Sequence, residues 1–242
     1  MPFEMVPTED IACDGMIVYD DKHELVQLPA PASINMRFAE TRAELTDDGE
    51  LICQSVLRYE GYRGVDIRNE ISDSDKDEFV KELLEDQFAE VAIDSFKIEN
   101  LDDPNVPLTI VVSYHIINHV QDAGDMLYLS SALLHGLSSN PFKREKRTFP
   151  VEYEYLRAST EQITLKLPAG MQVVELPRPA SITSNYIKYM NTCSQSGNIV
   201  TIGRSHIILK DFVPVDEYTQ LRTYYDQIVS ADQAQIVLSR VE

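Results

Sequence analysis

The last hundred residues constrain the fold most, because short strand-like runs alternate there with turns before one amphipathic stretch. The runs at 150–155 and 186–193 are rich in β-branched and aromatic residues, and Pro, Gly and Ser separate them from their neighbours. Four apolar residues then recur at the spacing of one helix face: Tyr218, Leu221, Tyr225 and Ile228. Strands, one helix at about 215–229 and a closing strand at 235–240 predict a β-sandwich rather than a doubly wound parallel sheet.

The first 140 residues predict a second β-rich region. The runs 34–45 and 51–59 alternate in polarity on either side of a Thr-Asp-Asp-Gly turn, the pattern of an antiparallel hairpin. Residues 74–91 carry a helical apolar stripe that consists of Phe79, Val80, Leu83, Leu84, Phe88 and Val91. We therefore expect a mainly β, antiparallel, sandwich-like chain with two amphipathic helices, at about 74–91 and 215–229.

Charge is distributed unevenly along the chain. The net charge is −19, of which residues 1–142 carry −20 and residues 143–242 carry +1. Such a shift in composition predicts two domains, an acidic β-rich domain with one helix over 1–140 and a C-terminal β-sandwich with one helix over 141–242. The acidic surface argues against nucleic acid as a partner, because phosphate binding depends on Lys and Arg.

Membrane insertion is not predicted. No run reaches the roughly 18 apolar residues that a membrane span needs. The first residues have no basic residue before Lys22 and no long apolar run, so they do not form a signal peptide. Two interpretations stay open, a cytosolic protein or a part of a longer exported one.

Two patterns imitate metal sites. Residues 73–77, Asp-Ser-Asp-Lys-Asp, begin like a calcium loop, but Glu78 and Leu84 occupy the positions that require Gly and a bidentate Glu. His115 and His119 are four residues apart, which in a strand separates them by about 13 Å, too far for one ion. We therefore predict no metal and no cofactor.

The three cysteines have no spacing typical of a metal or redox pair. A catalytic thiol needs an activated thiolate, often at a helix N-terminus. Cys13 precedes Asp-Gly in a loop, and Cys53 and Cys193 lie in strand-like runs. We expect no catalytic residue in the chain and predict that it is not an enzyme.

Tyrosines are the only candidates for a binding site. Tyr153, Tyr155, Tyr186 and Tyr189 recur in strand-like segments. They could form an exposed aromatic strip for a glycan or a peptide, or they could pack inside a sandwich. Both interpretations stay open.

Several segments together carry a family resemblance. They are the run Pro141–Tyr155, the run Leu-Pro-Ala-Gly-Met-Gln-Val-Val-Glu-Leu-Pro over 167–177, Tyr59-Glu-Gly-Tyr62, Gly-Asp-Met-Leu-Tyr at 124–128, and the opening Met-Pro-Phe-Glu-Met-Val-Pro. Along nearly its whole length the chain resembles the C-terminal β-rich region, a domain of unknown function, of bacterial transglutaminase-like proteins. In that family the region follows a papain-like core.

The resemblance implies a role as well as a fold. The family's Cys, His and Asp belong to the core, so none of them maps onto this chain. It implies a non-catalytic accessory or structural module whose partner is the upstream transglutaminase-like core of the same polypeptide. It also implies an exported parent, periplasmic or at the cell surface. The alternative is a glycan- or peptide-binding β-sandwich module.

Overall fold

The computed structural model describes residues 5–7, 10–11, 13–28 and 35–240. Most of the opening segment 1–7, which contributed to the resemblance, lies outside the described residues, as does the first residue of the predicted run 34–45. The described part is mainly β, which confirms the predicted fold class. It contains three α-helices, α1 Tyr62–Asp73, α2 Lys76–Glu85 and α3 Tyr218–Asp232.

Sixteen strands form the sheets of the described residues. In chain order they are β1 Asp14–Val18, β2 His23–Gln27, β3 Asn35–Leu45, β4 Leu51–Tyr59, β5 Val91–Glu99, β6 Leu108–Ile116, β7 Gln121–Ala123, β8 Met126–Ser130, β9 Val151–Glu152, β10 Arg157–Lys166, β11 Met171–Glu175, β12 Ala180–Thr183, β13 Ile187–Ser196, β14 Ile199–Ile208, β15 Phe212–Val213 and β16 Gln235–Arg240.

Eight strands make one large sheet in the order β12-β13-β14-β10-β3-β4-β6-β5. Six of the seven neighbouring pairs are antiparallel, but β10 runs parallel to β3, with Arg157 opposite Asn35 and Lys166 opposite Glu44. This one pair departs from the expected antiparallel arrangement. The two strands are far apart in sequence, so the connection between them is long enough for the crossover that a parallel pair requires.

One face of the large sheet is covered and the other faces solvent. Burial alternates along β4 and β6, as it must when a sheet is buried on one side. A second sheet of order β11-β16-β8-β7 supplies Leu127, Leu129, Ile236 and Leu238 to the same hydrophobic core as the large sheet. The middle of the molecule is therefore sandwich-like. Helices cover the ends of the same face, with α1 and α2 against β3, β4 and β5 and with α3 against β12 and β13.

The predicted helices need correction at three points. The helix expected over 74–91 begins at Lys76, where the Asp75 carboxylate accepts a hydrogen bond from Asp77 N at 2.8 Å, and it ends at Glu85. The helix expected over 215–229 spans Tyr218–Asp232 and follows a 3₁₀ turn. Helix α1 was missed, because its twelve residues are mostly polar and only a thin stripe that includes Ile67 and Ile71 is buried. Tertiary packing, rather than amphipathic strength, stabilises such a helix.

The predicted border near residue 140 does not separate two sheets. The large sheet joins β3, β4, β5 and β6 of the first segment to β10, β12, β13 and β14 of the second. The smaller sheet likewise joins β11 and β16 of the second segment to β7 and β8 of the first. The ranges 1–140 and 141–242 therefore share their sheets and a hydrophobic core. None of the three described helices is long and apolar enough to cross a membrane.

Candidate functional site

The main candidate site is a cavity of about 600 Å³ where the parallel strands β3 and β10 begin. Its walls come from the first residues of these two strands, the end of β14, helix α3 and the segment 137–155. Cavities of this size fall within the range of roughly 300–1,000 Å³ that is typical of ligand sites. Charged and other polar residues make up much of its lining: Arg37, Arg63, Arg147, Glu152, Tyr153, Tyr155, Arg157, Ser159, His206 and Tyr225. We call it the arginine pocket.

Arg37 lies on the covered face of the large sheet and is half-buried. Its Nη2 donates a hydrogen bond to Ser159 Oγ at 3.3 Å on the neighbouring strand. No carboxylate of the described residues lies within 4.0 Å of its guanidinium. Burial lowers the pKa of Arg37 to about 10; Tyr59 opposes this effect and Arg63 adds to it. The side chain is therefore a partly desolvated cation without an ion pair among the described residues, and the buried Glu161 favours its charge only from beyond 4.0 Å.

The other three arginines differ in how far they are neutralised. Arg157 and Arg147 are exposed, and each lies over a tyrosine ring, at 5.5 Å and 5.8 Å from the ring centroid. Neither forms an ion pair within the part of the chain that the structure describes. Arg63 lies 3.4 Å from Glu70 and 4.0 Å from Asp66 on the same helix. The pocket wall is consequently rich in positive charge, against one acidic lining residue, Glu152.

Two of the three tyrosines that line the pocket, Tyr153 and Tyr155, already have a neighbour on one ring face. Tyr155 stacks on Tyr62 with ring centroids 5.4 Å apart, and its hydroxyl donates a hydrogen bond to the Asp66 carboxylate. Burial and this hydrogen bond raise the pKa of Tyr155. Arg157 lies over the half-buried Tyr153. One face of each of these two rings is therefore already occupied.

His206 on β14 contributes a neutral imidazole. Its ring packs edge-on against Tyr225 of α3, with centroids 5.4 Å apart. Burial, with the nearby charge of Arg204, lowers the pKa of His206 to about 4. Its Nε2 is buried and has no hydrogen-bond partner among the described residues. Near neutral pH this residue adds hydrogen-bonding capacity but no charge to the pocket.

Behind the pocket lies a buried ionic cluster centred on the pair Arg204 and Asp232. Arg204 Nε and Nη2 donate to the two oxygens of Asp232 at 2.7 and 2.8 Å. The same carboxylate accepts from the Tyr189 hydroxyl at 2.7 Å and from Leu137 N at 2.9 Å. Burial opposes the charge on Arg204, but the hydrogen bonds and charge of Asp232 outweigh it and raise the pKa of Arg204. The cluster fixes α3 and residue 137 against the sheet, and both line the pocket.

A second buried carboxylate holds the segment that leads to the pocket. Glu161 Oε1 accepts a hydrogen bond from Leu134 N at 2.7 Å, and burial raises the pKa of this carboxyl group. The adjacent His135 is also buried, and desolvation together with Arg37 lowers its pKa well below the ordinary value. Polar groups inside the sheet therefore position the loop after β8, which packs beside the arginine pocket.

The four predicted tyrosines do not share one exposed strip. Tyr153 and Tyr155 line the arginine pocket, whereas Tyr186 lines a separate cavity of about 270 Å³ with Glu217 and Gln220. Tyr189 is 0% exposed and packs in the core under α3. A binding role for these residues stays a prediction.

Sequence reasoning missed the four arginines. Arg63 belongs to a helix that was not predicted, Arg147 lies in the loop between β8 and β9, and Arg157 begins β10. Arg37 had a readable signal, because it has the same strand parity as the buried Ala39, Ala43 and Leu45. A basic residue on the same strand face as buried apolar residues marks a place where the sheet buries a cation.

The three cysteines and the pair His115 and His119 lie outside the arginine pocket. Burial raises the pKa of Cys53 to about 12 and that of Cys193 to about 11, and Cys13 is exposed. His115 approaches Asp94 at 3.2 Å on the neighbouring strand. Over the described ranges no group of three or more His, Cys, Asp or Glu side chains is arranged to hold a metal ion.

Part of the chain matches a known protein family. Residues 125–238 match the family DUF3858. Its description reads "Domain of Unknown Function with solved-structure structure". The DUF3858 match runs from β8 into β16 and begins upstream of the predicted border at 141. No curated protein matches the chain.

One crystal structure with a similar part is described as a "putative protease from Parabacteroides distasonis ATCC 8503". The two chains are 18% identical, with a TM-score of 0.38, and the match covers 46% of this chain and 23% of that chain. The chain therefore spans less than a quarter of that protein's length.

Proposed function

We propose that the chain is a non-catalytic accessory module of an exported, transglutaminase-like protein and that it packs against the papain-like core of the same polypeptide. The proposal combines the resemblance of the sequence with one structural observation, the hairpin formed by β1 and β2. This hairpin carries five large exposed apolar side chains, Met16, Ile17, Val18, Tyr19 and Leu25.

The hairpin has the properties of a contact surface. Val18 is 72% exposed and Leu25 is 75% exposed, although both belong to paired strands. Exposed apolar side chains that are grouped rather than scattered mark surfaces that bind another protein. In the proposed parent, the catalytic core is the segment that covers them.

The thiols support the non-catalytic part of the proposal. A nucleophilic cysteine needs a lowered pKa and a neighbouring base. Cys53 and Cys193 have the opposite environment, since burial raises the pKa of both. Cys53 also packs within the core of the large sheet.

The size of the natural polypeptide tests the proposal. An antibody raised against this chain should detect, in extracts of the source cells, a protein much heavier than 27.5 kDa. Mass spectrometry of that band should identify peptides of a transglutaminase-like core with its Cys, His and Asp. A single band at the mass of the chain itself, or amide hydrolysis or transamidation by the chain that depends on Cys13 or Cys53, would overturn it.

The arginine pocket favours a second candidate, a peptide-binding module. Sugar binding relies on open aromatic faces, whereas Tyr155 stacks on Tyr62 and Arg157 lies over Tyr153. Guanidinium groups instead suit the carbonyl and carboxylate groups of a peptide. Peptide and glycan arrays probed with the labelled chain separate the two ligand classes. Binding to peptides is expected, and binding to neutral glycans alone contradicts the candidate.

A further inference from the structure

We propose that the arginine pocket binds a carboxylate carried by a peptide, so that its ligand is an acidic peptide segment. The inference deepens the peptide-binding candidate and rests on it. Three observations support it. The charge of the pocket is opposite to that of the chain, Arg37 has no ion pair among the described residues, and the cavity is larger than one carboxylate.

The pocket reverses the charge of the chain around it. The chain has a net charge of −19, yet four of its twelve arginines line this one cavity together with a single carboxylate, Glu152. Like charges brought together in a partly desolvated cleft repel each other, and low-dielectric walls focus their field. Burial is the main cause of the lowered pKa of Arg37, and the charge of Arg63 adds to it, whereas Tyr59 and Glu161 oppose it. An anion is the complementary ligand.

Arg37 and Arg204 show the contrast between an unfilled and a filled cation site. Arg204 is buried and forms a two-point pair with Asp232. Arg37 lies two strands away on the same face of the sheet, but its one hydrogen bond within the described residues goes to the neutral Ser159. Proteins seldom desolvate a cation without an acidic partner. A ligand carboxylate would supply that partner to Arg37.

The groups around Arg37 favour a carboxylate carried by a peptide over other anions. The planar guanidinium fork matches the two oxygens of a carboxylate. Ser159 lies opposite Arg37 on the adjacent strand, with Arg157 two residues to one side of it and the buried Glu161 two residues to the other. The cavity of about 600 Å³ leaves room beyond one carboxylate for neighbouring peptide groups. His206 lies opposite Ser159 on the next strand, and its buried Nε2 has no protein partner where the structure is described.

Binding of short peptides to the full chain tests the proposal. The probe is a fluorescent Ala-Glu-Glu-Ala peptide, acetylated and amidated at its ends, measured by fluorescence anisotropy at low salt. An otherwise identical Ala-Gln-Gln-Ala peptide removes the side-chain carboxylates, and a Gln peptide with a free C-terminus restores one at the chain end. The Glu peptide should bind at least about tenfold more tightly than the blocked Gln peptide, because charge-assisted hydrogen bonds are lost.

The free-terminus peptide distinguishes the source of the carboxylate. Tighter binding of this peptide than of the Glu peptide assigns the pocket to C-terminal carboxylates, and the reverse assigns it to Asp and Glu side chains. Both results support a peptide carboxylate. Equal binding of all three peptides would overturn the proposal, as would direct binding of inorganic phosphate or polygalacturonate to the chain without any binding of the acidic peptides.

Substitutions locate the site. Arg37→Gln and Arg157→Gln should each weaken binding of the Glu peptide about tenfold or more. Arg144→Gln is the matched control, since Arg144 is exposed in the same region but does not line the cavity. It should bind like the wild type. Arg157 is exposed, so Arg157→Gln should keep the fold. It therefore still tests the site if Arg37→Gln lowers stability. Unchanged affinity in a folded Arg157→Gln variant would refute the proposed site, whatever the size of the natural polypeptide.

Discussion

Arg204 on β14 and Asp232 at the end of α3 form a two-point ion pair, with N–O distances of 2.7 and 2.8 Å. Their side chains are only 2% and 1% exposed. The pair joins the helix that was predicted from sequence to a sheet strand, and the Tyr189 hydroxyl donates to the same carboxylate. A buried pair of this kind fixes one arrangement of helix on sheet, because any shift leaves both charges without partners.

Asp232→Asn should destabilise the protein by about 3–5 kcal/mol, since it leaves the charge of Arg204 buried without a counter-charge. Asp226→Asn on the same helix is the control. That carboxylate is half-exposed and pairs with Arg222, so its loss should cost about 1 kcal/mol or less. Urea unfolding followed by circular dichroism measures both values, and equal costs would contradict the role assigned to the buried pair.

Stability should fall in acid through His206. A histidine in an unfolded chain has a pKa of about 6.5, whereas burial lowers that of His206 to about 4. Below pH 6.5 the unfolded state therefore binds more protons than the folded state, and the free energy of unfolding decreases as the pH falls towards 4. His206→Gln should remove about 1–3 kcal/mol of this decrease.

A measurement at pH 8 serves as the control for His206→Gln. Unfolding at pH 8, where histidine is neutral in both states, gives the packing cost of the substitution alone. The change in the difference from wild type between pH 8 and pH 5 then isolates the titration. A difference that does not vary with pH would show that His206 does not contribute to the acid sensitivity.

Ile67→Ala tests whether helix α1 belongs to the core. Ile67 is fully buried in the cluster that also contains the strands of the large sheet, so the truncation should cost about 2–5 kcal/mol. Ile52→Ala removes the same atoms from the exposed face of β4 and should cost about 1 kcal/mol or less. Chemical denaturation of both variants gives the comparison. A small cost at Ile67 would mean that α1 is only loosely attached.

The thiols should label in the order of their exposure. Alkylation at pH 8 followed by peptide mass spectrometry should modify the exposed Cys13 first and leave Cys53 intact, because burial raises the pKa of Cys53 to about 12. Cys193 is half-buried and should react at an intermediate rate. All three should react at similar rates in urea. Rapid labelling of native Cys53 would contradict its assignment to the core.

Local patterns were sufficient where one face of an element is buried. The alternation over 51–59 predicted β4, and the four apolar residues from Tyr218 to Ile228 predicted α3 to within three residues. Helix α1 escaped because few of its residues are apolar, so its stability depends on the sheet beneath it. The sequence changes from strongly acidic to nearly neutral near residue 140, but the two larger sheets both contain strands from either side of this position.

The sequence by itself determined the mainly β class, the positions of most strands and two of the helices, because side-chain periodicity depends only on neighbours along the chain. Tertiary structure alone decided that β10 lies parallel to β3, since strand pairing joins residues more than a hundred positions apart. That pairing places Arg37 beside Arg157 and Ser159 and so creates the arginine pocket. Periodicity carries no information about such a partner, because the free energy that selects it comes from contacts between distant segments of the chain.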